Sequence, residues 1–328
     1  PGYSNYRTLT VASGKVSGTH TDEVVGFFLD PADYPEAMPG GTDLRFTNTD
    51  GALLHHELVS WTASEAILYF KADVLTDESQ FLVHYGNPDS KSTPPVRTTW
   101  SKWAAVYHFE EYPTTHNRLT DSSGNGIHGT LSAQSGFEWS METRVPGAVG
   151  FGWDYETQRV TTLPDINLTG SWTTFVIHKN TENKNQNTGL FTYHNRGFYW
   201  DLAGRGDITI KTLEQTEPGV WLRGTNTTGA SNNGSDFVYL ALRHDPGVDG
   251  GVEFFSNGAL QSTSWAIMDG NPWTPLGVPV NANLDLVGTG QGAREPFGLS
   301  SASYNDNASD GNDGISDEQW IYDGLADD

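Results

Sequence analysis

The chain has no cysteine among its 328 residues, which excludes a disulfide framework and any thiolate chemistry. Cations are scarce: 18 lysines and arginines stand against 41 aspartates and glutamates, a formal net charge of −23. No basic stripe occurs, and phosphate binding needs clustered lysine and arginine, so nucleic acid is not expected as a partner. No run of about 18 apolar residues occurs, so no membrane span is expected. Several chemistries lack their signatures. There is no G-x-S-x-G, no H-E-x-x-H and no phosphate-binding loop. Also missing is the E-x-D-x-E strand that sets two carboxylates ~5 Å apart for retaining glycoside hydrolysis. No leader segment is visible at Pro1. Removal of an initiator methionine, as for a virion component, and cleavage of a leader both stay open.

What the chain does have is turn-formers and aromatic residues. Gly 37 and Pro 16, with 12% aromatic and 36% hydrophobic residues, describe an all-β protein of many short strands. The length supports two domains. In residues 1–97, Tyr6–Val11 alternates as a strand, and Val24–Leu29 is an apolar run expected to be buried on both faces. Asp43–Thr47, the turn Asn48-Thr49-Asp50-Gly51 and Ala52–Leu58 predict a hairpin. Ala66–Lys71 and Gln80–Tyr85 add two strands. Residues 89–99 are rich in Ser, Thr and Pro, with Pro94-Pro95, and read as an extended linker. Trp100 and Trp103 follow it, placed either to pack the two domains together or to cover a sandwich edge.

Tyr6-Arg7, Asp43-Leu44-Arg45-Phe46-Thr47, Asp50-Gly51, Leu54-x-x-Glu57 and Tyr85-Gly86-Asn87-Pro88 together resemble a bacterial and archaeal domain of unknown function. That domain often precedes a laminin-G-like module. Here His55-His56 and His84 replace residues usual in it, and no activity carries over.

In residues 98–328, an aromatic strand at Val106–Glu110 leads to Asp121-Ser122-Ser123-Gly124-Asn125-Gly126 and Gly129-Thr130. Strands follow at Ser171–Ile177, Gly189–Tyr193, Gly197–Leu202 and Phe237–Arg243. Gly251–Leu260 carries Asn257-Gly258, a strong hairpin signal, and Leu284–Gly288 and Gly314–Tyr322 close the chain. This order is similar to a laminin-G-like, concanavalin-type jelly roll. The reading is a small N-terminal β-sandwich, residues 1–97, followed by a jelly-roll domain, residues 98–328.

The resemblance implies a structural calcium ion, with Glu110, Asp121, Asn125 and Asp317 as candidates drawn from the two ends of the domain. Calcium takes six to eight such oxygens. Asp306, Asp310, Asn312 and Asp313 form a second acidic loop; for both, a solvated acidic loop is the plain alternative. His55 and Glu57 share one side of a strand and His56 faces away, too few ligands for a metal without a third. All eleven tryptophans except Trp61 lie beyond residue 97. Trp172, Trp200, Trp221 and Trp320 read as core. Trp265, Trp273 and Asn271, in an apparent loop, are the carbohydrate-binding candidates, since a sugar's C–H face stacks on aromatic rings. Four Asn-x-Ser/Thr sequons, at Asn167, Asn226, Asn233 and Asn307, carry glycans only in a glycosylating pathway.

The expectation is a non-catalytic binding protein on a virion surface or, alternatively, an extracellular adhesin or filament subunit on a cell surface. Its partners would be a polysaccharide or glycoprotein surface and the other subunits of an assembly. A polysaccharide-degrading enzyme with acids unrecognisable by motif is the rival from another class.

Overall fold

In Gln80–Tyr85, apolar and polar residues alternate, and a strand turns alternate residues to opposite faces. Phe81, Val83 and Tyr85 are accordingly buried, while Leu82 and His84 stay half-exposed. The computed structural model describes residues 2–90, 96–109, 118–131, 137–139, 149–151, 161–163, 170–180, 187–193, 196–201, 207–212, 222–226, 237–245, 248, 251–267, 274–276, 297–299, 301–304, 307–311 and 314–324. Apart from one short helix and two 3-10 turns, its regular elements are strands, in antiparallel pairs. The protein is all-β. It divides into two compact units: residues 1–101 with 122–124, and residues 102–121 with 125–328.

The first unit is a sandwich. Strands β1 (Asn5–Thr10), β2 (Thr19–Leu29), β3 (Arg45–Asn48), β4 (Leu53–Leu54), β5 (His56–Trp61), β6 (Ala66–Thr76) and β7 (Gln80–Tyr85) form two sheets, ordered β1-β7-β3-β4 and β2-β6-β5. Between them Phe46 stacks on Phe70 at 5.3 Å, and Phe27 and Phe81 meet Phe70 edge-on at 5.8 and 4.8 Å. Each such pair contributes ~0.5–1.5 kcal/mol beyond its buried area. The Asp43 carboxylate, almost fully buried, accepts from the amides of Met38, Gly86 and Asn87 at 2.7–2.9 Å. One side chain thereby fixes the turn at the end of β7. Gly86 there has φ 79°, and a Cβ would meet the Ser4 hydroxyl.

Two expectations change. Val24–Leu29 is not buried on both faces: β2 is an edge strand with Phe28 47% exposed. Only one of its faces meets the core, and the ring of Tyr69 covers Gly26 on the other. Ala52–Leu58 is not one strand either. Leu54 pairs with Phe46 in the first sheet, whereas His56 pairs with Phe70 in the second, so the chain changes sheets at His55. The linker is not extended to its end: Val96–Thr99, within it, is a short helix, α1, and Trp100 packs on Tyr69 at 5.1 Å within the first unit.

In the second unit β8 (Trp103–Tyr107), β9 (Trp172–Asn180), β14 (Val238–His244), β15 (Val252–Ser256) and β18 (Gly314–Tyr322) belong to an eight-stranded sheet, in which β18-β9-β14-β15 run in that order and β8 pairs with β18. Trp172, Val176, Leu240, Leu242, Phe254 and Ile321 are buried in it. The turn after β15 has both Asn257 and Gly258 at positive φ, 50° and 79°, the conformation the Asn-Gly pair predicts. A ten-stranded sheet contains β10 (Asn187–Tyr193), β11 (Arg196–Asp201), β12 (Asp207–Thr212), β13 (Leu222–Asn226), β16 (Thr263–Ile267) and β17 (Thr274–Leu276), ordered β17-β16-β13-β12-β11-β10. Leu284–Gly288 lies outside the described residues.

His56 is a source of pH dependence in the first unit. It is 2% exposed, its ring is 5.0 Å from Phe46, and burial pulls its pKa down to about 4. The folded unit holds it neutral, while the unfolded chain protonates it near 6.5. Stability from this residue is therefore complete above pH ~6.5 and falls as pH drops toward 4, by about 3 kcal/mol in all. Urea unfolding of the first unit across this window should show that slope, and His56→Gln should flatten it; an unchanged slope in the variant would assign the acid sensitivity elsewhere.

Candidate functional site

β8 lies against the closing strand β18, Tyr107 opposite Gln319 and Ala105 opposite Ile321, so the two ends of the second unit meet in one sheet. A carboxylate is buried at this junction. Glu318, 1% exposed, accepts from His108 Nδ1 at 2.7 Å and from Trp320 Nε1 at 2.8 Å. A bulge creates its position: Ile177 pairs with Glu318 but His178 with Ser316, leaving Asp317 as the extra residue. Phe109, next to His108, is fully buried in the left-handed region at φ 55°. Such strain persists only where packing over-determines it.

The turn that follows is clamped to β8. Asp121 accepts from Val106 N at 3.0 Å and Ile127 N at 3.1 Å, one on each carboxylate oxygen. Asn125 Nδ2 donates to the carbonyls of Trp103 and Ala104. The Tyr107 hydroxyl donates to Ile127 O at 2.6 Å. Burial, and secondarily the Asp121 charge, push this phenol well above its ordinary pKa, so it remains a donor.

Of the calcium candidates, then, Asp121 and Asn125 are brought together and already bond backbone, and Asp317 sits at the bulge of β18. Glu110 lies outside the described residues, as do Asp306, Asn312 and Asp313; Asp310 is on the strand Asn307–Gly311. Among the described residues no group of three or more His, Asp or Glu is placed to hold a metal ion. His55, His56 and Glu57 diverge: His55 Nδ1 bonds Thr98 Oγ1 at 2.9 Å, His56 enters the core, and Glu57 accepts from Trp100 Nε1 and from Ser122 Oγ, the latter at 2.9 Å.

Trp265 is in strand β16 rather than a loop. Residues directly opposite across strands lie on the same sheet face. Its cross-strand row runs Leu276, Trp265, Gly224, Ile210, Phe198, Phe191, Leu299, which is apolar throughout. The row one residue over is polar: Ser264, Thr225, Thr209 and Tyr199, ending at Gly189. The two rows lie on opposite faces of the sheet, and the rows flanking the apolar one on its own face are mixed: Thr188, Trp200, Ile208, Asn226 and Thr263 on one side, Thr212, Leu222, Ile267 and Thr274 on the other. Asn271 and Trp273 fall outside the described residues, in the segment joining β16 to β17. Trp172 is buried and Trp320 half-buried beside Trp103 and Phe175, while nothing is described of the Trp200 side chain or of Trp221. Sequence reasoning missed the Glu318–His108 pair and the hydroxyl row. The first joins residues 210 apart, and the second appears only once the register is known.

No family model matches the chain, and no curated protein matches it. Among solved structures, it is similar to Trypanosoma rangeli sialidase at 10% identity and a TM-score of 0.42, covering 87% of this chain and 42% of that one. The same enzyme in complex with sialic acid gives a TM-score of 0.39 at 10% identity, over 98% of this chain and 51% of that one. The chain therefore spans about half or less of the length of these structures. At this level the likeness bears on neither activity nor ligand.

Removing Glu318 leaves His108 and Trp320 without their buried acceptor. Glu318→Ala should destabilise the second unit by about 3–5 kcal/mol, and Glu318→Gln by less. Denaturant unfolding followed by tryptophan fluorescence measures both; a loss under 1 kcal/mol in the alanine variant would show that the pair does not hold the junction.

Proposed function

We propose that the protein is a non-catalytic, surface-displayed binding protein whose second unit recognises carbohydrate. The observation that carries this reading is the face of the ten-stranded sheet where register aligns Tyr199, Thr209, Thr225 and Ser264 in one row. A sugar needs an aromatic surface for its C–H groups and short hydroxyl side chains for its own hydroxyls, and this row holds both residue types. Asn271 and Trp273 belong to the segment that follows β16, next in sequence to that sheet edge. The first unit serves as a mount joining the protein to a larger assembly. Calcium would stiffen the β8 turn near Asp121 and Asn125 rather than enter the recognition step.

One observation favours a rival. Asp201 and Asp207 are direct cross-strand partners on the same face as Tyr199, and glycoside hydrolysis uses a pair of acidic residues. An array of polysaccharides, probed with Ca²⁺ and again with chelator, tests the binding reading. Saturable binding without release of reducing ends is expected, and a chelator should lower the melting temperature more than the affinity. Release of reducing ends that Asp207→Asn abolishes would establish the hydrolase instead, and silence across a broad array would remove carbohydrate recognition altogether.

A further inference from the structure

We propose that the open edge of β2 receives an extended segment of a partner protein, which joins the first unit as a fourth strand of its smaller sheet. This gives the mounting role of the unit a point of contact and owes nothing to carbohydrate recognition. The two sheets of the sandwich are unequal, four strands against three, and β2 ends the smaller one. Among the described residues no strand pairs with its outer side. Edge strands are kept from further pairing by shortness, by a lysine, by a proline or by a bulge. β2 is 11 residues long, Val24–Leu29 contains no charged residue and no proline, and its register with β6 there shows no shift.

Burial along this edge is incomplete. Val25 and Phe27 face the core, with the Phe27 ring 5.5 Å from Phe46 and 5.8 Å from Phe70, yet both are only partly buried. Phe28, on the opposite face, is 47% exposed. A strand laid beside β2 would cover Val25 and Phe27 on one face and Phe28 on the other, while pairing the main-chain groups of the edge. Charge selects the partner. At each end of the apolar run two acids stand with one cation: Asp22 and Glu23 with Lys71, 3.2 Å from Asp22, and Asp30 and Asp33 with Arg7, 3.6 Å from Asp33. Antiparallel pairing with a second copy would set acidic end against acidic end, on chains of net charge −23 each, and opposed like charges weaken a ladder. The edge therefore suits a segment that is apolar and β-branched at its centre and carries lysine or arginine at both ends.

The test measures binding of synthetic peptides of about ten residues, long enough to span Val24–Leu29, to the full chain. One peptide alternates valine with threonine at its centre and has lysines at both ends. A second replaces the lysines by glutamates, and a third places a proline at the centre of the lysine peptide. The lysine peptide should bind saturably and slow amide hydrogen exchange within Val24–Leu29. The glutamate peptide should bind about tenfold more weakly or worse, and the proline peptide, which cannot complete the ladder, should not bind. Phe28→Thr should weaken binding of the lysine peptide about tenfold, and Phe28→Lys by more, both with melting temperatures close to wild type because the core is untouched. No binding of the lysine peptide, equal binding of the proline peptide, or binding without protection in Val24–Leu29 would overturn the inference. Dimerisation in sedimentation that Phe28→Lys abolishes would also overturn it, assigning the edge to a second copy. Each of these failures would leave the mounting role to another face and carbohydrate recognition untouched.

Discussion

The second unit depends on the pairing of β8 with β18, and that pairing is secured by a buried carboxylate. Glu318 joins two residues 210 apart in sequence, His108 and itself, at a position with almost no exposure. A contact over so long a loop is expensive in chain entropy to form, and a polar group buried without hydrogen-bond partners would add its own cost of desolvation. The hydrogen bonds from His108 and Trp320 offset the second cost. Around this junction Trp103 packs against Phe175, Trp320 and Tyr322 at 5.4–5.6 Å, so aromatic burial and a polar lock act on the same pair of strands.

The first unit solves a different problem. Its two sheets are small, and a small unit buries a smaller share of its surface. The compensation is an unbroken aromatic core, Phe27, Phe46, Phe70 and Phe81, with polar groups used at the margins. Asp43 spends its carboxylate on backbone amides of two separate turns, and Glu57 gathers Trp100 and Ser122. Gly124, at φ 84°, packs on Arg97 within the same unit, where a Cβ would collide. His56 is the exception: an imidazole taken into the core, tolerated only because it stays neutral there.

Much of the fold was legible because strand alternation and turn chemistry are local. Gln80–Tyr85, Phe237–Arg243 and the Asn257-Gly258 turn are found where their patterns place them. Where the reading went astray, the missing information was non-local. Val24–Leu29 looks doubly buried because apolarity alone does not reveal that a strand is at an edge. Leu53–Leu58 looks continuous because no residue in it announces a change of sheet. Trp265 sits close to Gly270-Asn271-Pro272 in sequence, yet belongs to a strand whose row is apolar. Site residues suffer most from this. The partners Asp43 and Gly86, or His108 and Glu318, are related by pairing, which no window along the chain contains.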